Sequence, residues 1–93
     1  MAEQAQLAQA QFSNGELDAA RDTYSQAKAV FEDIDDISRA AQVNVRLARI
    51  DVAADDLDAA QQRVDEVLAV SLREALHEPA IQAMELGGDI ASR

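Results

Sequence analysis

The stretches Leu17-Asp18-Ala19-Ala20 and Leu57-Asp58-Ala59-Ala60 are identical and lie forty residues apart. The same offset lays Leu7-Ala8 on Leu47-Ala48 and Ala29-Val30 on Ala69-Val70, so the agreement falls in blocks separated by equal gaps, as in a tandem repeat. A shorter third echo begins at Leu86-Gly87. Around these blocks small and apolar residues recur every three or four positions, first as Leu17, Ala20, Tyr24, Ala27 and Phe31, then as Leu57, Ala60, Val64, Val67, Leu68 and Ser71. That spacing is one buried face of a helix.

Punctuation divides each repeat into two helices. Nothing breaks the run from Ala2 to Ser13, and Asn14-Gly15 then supplies the left-handed position that closes a helix. Glu16-Leu17-Asp18 opens a second helix with acidic residues in its first turn, where the helix dipole favours them, and this helix runs to about Asp33. The cluster Asp33-Ile34-Asp35-Asp36 reads as turn and cap. Ile37 to about Ala53 forms a third helix with Ala40, Leu47 and Ala48 on one side, and Leu57 to about Leu76 a fourth. His77-Glu78-Pro79 ends the fourth helix, with His77 as its C-terminal cap, and Ala80 to about Ala91 is the fifth.

Composition narrows the classes. The 93 residues are 48% hydrophobic, enough for one core, yet only 3% are aromatic, so elements must pack closely through alanine. Three glycines and one proline are too few for the turns of a many-stranded β fold. The net charge of −10 repels phosphate backbones, which argues against nucleic acid and against anionic membrane as partners. No apolar run approaches the roughly 18 residues of a spanning helix, so no membrane insertion is expected. Met1-Ala2-Glu3-Gln4 lacks the basic and apolar regions of a secretory leader. A cytoplasmic location is therefore favoured, and a periplasmic one requires a leader removed before Met1.

Helix pairs with a small residue after Leu in the first helix, and Gly15-Glu16-Leu17-Asp18-Ala19-Ala20 opening the second, resemble the tetratricopeptide repeat. Tyr24 and Ala27 sit where that repeat places an aromatic and a small residue. The length is similar to the longer variant, of about forty residues, of many bacterial signalling and regulatory proteins. The second copy departs from the pattern at Asp55, Val64 and Val67, and Gln4, Gln11, Asn44 and Asp51 stand where bulky apolar residues are usual. The resemblance covers essentially the whole chain. It implies an all-α fold of antiparallel helix pairs stacked as a short right-handed solenoid. About two and a half repeats are expected, over roughly 1–36, 37–77 and 78–93. It also implies a non-enzymatic scaffold that binds a protein or peptide on its concave face.

Residues that bear on chemistry are few. Zero cysteines and a single histidine exclude thiolate nucleophiles, disulfides and Cys- or His-based zinc sites. Asp33, Asp35 and Asp36, like Asp55, Asp56 and Asp58, lack the glycine and terminal glutamate of a calcium loop and read as caps and turn carboxylates. Gly87-Gly88 lacks the strand and spacing of a phosphate loop and reads as an allowance for close helix packing. We therefore expect no enzyme activity, no metal and no cofactor.

Binding residues follow from register. Gln42, Arg46 and Arg49 share a face of the third helix distinct from the Val43, Leu47 and Ile50 stripe that should pack on the preceding repeat. Gln6, Gln9 and Ser13 on the first helix and Glu85 on the fifth should join them along the concave face. Guanidinium forks bind carboxylates in bidentate fashion, so an acidic peptide or a free C-terminal carboxylate is the expected ligand. The more ordinary fate of Arg46 and Arg49 is pairing with neighbouring acids. The fifth helix lacks a second helix to complete its pair, so Ile81, Met84 and Ile90 should present an apolar surface and support a homo-oligomer through a chain end. Two other classes stay open: an effector-sensing or regulatory segment of a larger signalling protein, and a self-associating structural bundle. A polar groove favours the peptide binder, an apolar cavity the sensor and a closed bundle the third.

Close helix approach through alanine gives the first test. Ala20→Phe should cost about 2–3 kcal/mol by overpacking and collapse the helical signal in circular dichroism at 37 °C. A variant as helical and as heat-stable as the natural chain would show that Ala20 is not at a helix contact.

Overall fold

Four left-handed residues punctuate the chain at intervals of twenty: Gly15 (φ 81°), Asp35 (φ 57°), Asp55 (φ 64°) and Ala75 (φ 56°). Each follows a helix and turns the chain back. The computed structural model describes the backbone of residues 2–92 and the side chains of residues 6–92. Five helices lie between the turns: α1 (Ala2–Ser13), α2 (Leu17–Asp33), α3 (Ile37–Ala53), α4 (Leu57–Glu74) and α5 (His77–Ala91). No strand occurs among the described residues.

The turns share one hydrogen-bond pattern. The N–H of the residue after each left-handed position donates five residues back, Glu16 to the carbonyl of Gln11, Asp36 to Phe31, Asp56 to Asp51 (each 2.8 Å) and Leu76 to Ser71 (2.9 Å). This satisfies a carbonyl that a helix end leaves orphaned. Asp36 and Asp56 then cap the next helix, their carboxylates accepting from the Arg39 and Ala59 N–H groups at 3.2 and 3.3 Å. The acidic clusters are thus turn and cap, with Asp35 and Asp55 in the place that Gly15 holds in the first turn. The expected end of the fourth helix is corrected here. Ala75 is left-handed and stops α4 at Glu74, so His77 is the first residue of α5 and does not cap α4. Pro79 sits in the first turn of α5, where a missing N–H costs nothing.

Consecutive helices pack as antiparallel hairpins, and α3 also packs on α5. The result is a slab of 35 × 33 × 17 Å, with α1, α3 and α5 in one layer and α2 and α4 in the other. One core cluster joins Ala8 to Ala20, Tyr24, Ala27 and Phe31 of α2 and to Ala40, Val43, Leu47 and Ile50 of α3. The second joins Ala41, Val45 and Ala48 of α3 to Ala60, Val64 and Val67 of α4 and to Ala83 and Leu86 of α5. The central helix is therefore buried on two faces. Ala48 lies in the second cluster, apart from Ala40 and Leu47. Leu7 is 53% exposed whereas Leu47, its counterpart, is buried, because Leu47 lies in the cluster formed with the preceding hairpin. On α5, a Cβ added to Gly87 would meet Val64 Cγ1 at 3.4 Å, while one at Gly88 would meet nothing within 4 Å, so only Gly87 serves close packing.

The polar residues at core positions join the layers. The Asp51 carboxylate, its side chain 4% exposed, accepts from Arg63 Nε at 2.7 Å and from Arg21 Nη2 at 3.1 Å. Arg63 Nη1 also donates to Asn44 Oδ1 (3.0 Å), and Asn44 Nδ2 donates to Glu66 Oε2 (3.2 Å). Forty residues earlier the pair Asp51–Arg63 becomes Gln11 and Thr23, whose hydroxyl donates to Gln11 Oε1 at 2.9 Å. The same two helix positions are linked in both hairpins, neutral in the first and ionic in the second.

Two outcomes follow for stability. Asp51→Ala leaves Arg63 without its carboxylate and Arg21 with Asp18 alone, and should cost about 3 kcal/mol, the lower edge for breaking a buried pair because both arginines keep contact with water. The urea midpoint should fall accordingly, and an unchanged midpoint would show that the bridge contributes nothing. Ala75→Gly should stabilise by about 1 kcal/mol, since a left-handed backbone penalises any Cβ. A rise of about 4–8 °C in Tm is expected for a domain of this size.

Candidate binding site

Arg46 and Arg49 stand one turn apart on α3 and face α1. With Gln9, Phe12 and Ser13 of α1 and Tyr24 of α2 they line a pocket of about 180 Å³. Four of the seven residues expected on the concave face, Gln9, Ser13, Arg46 and Arg49, thus converge. The other three do not line it. Gln6 and Glu85 are exposed elsewhere on their helices, and Gln42 sits at the seam with α5, its amide donating to Glu78 Oε2 at 3.5 Å.

Charge pairing sets these two arginines apart. Arg21 pairs with Asp18 and Asp51, Lys28 with Glu32, Arg39 with Asp36, Arg63 with Asp51 and Arg73 with Glu74. Among the described residues neither Arg46 nor Arg49 has an ion-pair partner. The pocket walls also supply none, being a glutamine, a serine and two aromatic rings. In a chain of net charge −10, the pocket is a local site of positive charge open to solvent.

A broader depression of about 660 Å³ adjoins it, lined by Phe12, Arg49, Val52, Ala53, Asp55, Leu86 and Asp89. Sequence register did not point to Phe12, Tyr24, Val52 or Leu86 as site residues. Phe12 carried a usable signal, being one of three aromatic residues and standing beside Ser13 on the helix that should border the groove. Val52 and Leu86 carried none, since apolar residues at helical spacing read as core. A third cavity of about 270 Å³ opens in the other layer over the start of α3, with Ala40, Ala41 and Val67 as floor and charges of both signs on its walls.

On α5, Ile81 and Met84 are 52% and 57% exposed. Ile90 is corrected: it turns inward and packs against the second core cluster. Among the described residues no three histidine or acidic side chains are grouped to hold a metal ion, and no helix is long and apolar enough to cross a membrane. No protein-family model, curated protein or solved structure matches the chain.

Proposed function

We propose that the chain is a non-enzymatic protein-interaction module of the tetratricopeptide type, binding a carboxylate-bearing segment of a partner protein in the groove between α1 and α3. One observation carries the reading: two arginines one turn apart, without acidic partners among the described residues, line one pocket of a strongly acidic protein. An unpaired guanidinium has its fork free for bidentate recognition, and Gln9 and Ser13 add neutral hydrogen-bonding groups beside it. The stacked hairpins supply the rigid frame that such a site requires. A polar-rimmed groove between two helices of one layer suits a peptide better than a small effector, for which an enclosed apolar cavity would be needed.

The test uses acidic peptides with free and amidated C-termini, titrated against the natural chain and the Arg46→Ala/Arg49→Ala double variant. Affinity should fall at least tenfold in the double variant while Tm stays within about 1 °C, as for substitutions at surface positions. Equal affinity for both proteins would remove the arginines from the site.

A further inference from the structure

The pocket that holds Arg46 and Arg49 continues past its own walls. Phe12 and Arg49 also line the larger depression, whose apolar walls are completed by Val52, Ala53 and Leu86 and whose edge carries Asp55 and Asp89. Order along α3 arranges these groups in a line: Arg46 and Arg49, then Val52 and Ala53, then Asp55 in the following turn. The surface passes from cationic through apolar to anionic. With a helical rise of about 1.5 Å per residue, Arg46 and Ala53 are separated by about 10 Å along the axis, and Asp55 lies in the turn just beyond. An extended chain covers that distance in about four residues, with side chains i, i+2 and i+4 on the same side.

We infer that this groove takes an extended internal segment of a partner protein carrying an acidic side chain at i, a bulky apolar one at i+2 and a basic one at i+4. The carboxylate meets Arg46 and Arg49, the apolar group enters between Phe12, Val52 and Leu86, and the cation reaches Asp55. The inference rests on the peptide-binding reading above and adds the order of the partner's residues. Charge complementarity selects this occupant. A uniformly acidic segment would carry its further carboxylates to Asp55 and Asp89, and a second copy of the chain would bring another net charge of −10 to the groove. An apolar residue between the charges is required because a polar one would leave the Phe12, Val52 and Leu86 surface wet.

The experiment measures fluorescence anisotropy with labelled nonapeptides, acetylated and amidated, centred on Glu-Ser-Leu-Ser-Lys. The natural chain should bind this peptide, and replacing its leucine by alanine should weaken binding about tenfold or more. Ala53→Phe fills the depression from an exposed position and should weaken the parent peptide by a similar factor. Asp55→Asn keeps a residue tolerant of the left-handed turn and should abolish the preference for lysine over glutamine at i+4. Should Ala53→Phe lose its helical spectrum, the peptide substitutions alone decide. Binding that requires Arg46 and Arg49 but ignores the leucine overturns this inference and leaves the carboxylate-binding module standing. Failure of the whole nonapeptide set to bind at about 1 mM overturns it as well, and the module reading falls with it only if the free-terminus acidic peptides also fail.

Discussion

The Asp51 carboxylate, held between Arg63 and Arg21, is the interaction on which the arrangement of the layers depends. Its two partners lie on α4 and α2, so one buried acid on α3 ties the second hairpin to the first. Alanine-lined helix contacts give close approach but little directional preference, because small side chains interlock weakly and tolerate sliding. A charged hydrogen-bond pair is short and directional and has few acceptable registers. The arginine-lined pocket lies on the opposite side of α3, one helical turn before Asp51, so the groove geometry is set by the bridge behind it.

The repeat, the helix count and the turns were legible in the sequence because they depend on local chemistry. Identical blocks forty residues apart, the Gly15 turn and the acidic caps each constrain a few adjacent residues. The end of α4 was not legible, because Ala75 has no preference for the left-handed backbone it adopts and Pro79 pointed to a boundary several residues later. Tertiary packing imposed that turn where the twenty-residue spacing required it. Asp51 and Asn44 looked out of place for the same reason: their partners Arg21, Arg63 and Glu66 lie 12 to 30 residues away.

The candidate site was half legible. Helical register put Arg46 and Arg49 on one face and Gln9 and Ser13 opposite, and the pocket contains all four. Register could not show that Gln6, Gln42 and Glu85 do not line the pocket, since the offset of neighbouring helices is a property of packing. Nor could it separate Val52 and Leu86, which are partly core and partly wall, from residues that are core alone. That neither arginine has an acidic partner among the described residues is likewise set by packing, as eighteen acidic residues offered many partners on paper.

The even metre of the turns limits how an architecture of this kind can change length. One helix and its turn occupy twenty residues, and each such step reverses the direction of the chain and moves it to the other layer. Gain or loss of one step would keep every helix intact but transpose the layers, sending residues built for the groove to the outer surface and cutting Asp51 off from one of its arginines. Two steps restore both direction and layer. Growth or shrinkage that keeps a binding face is therefore quantised in helix pairs.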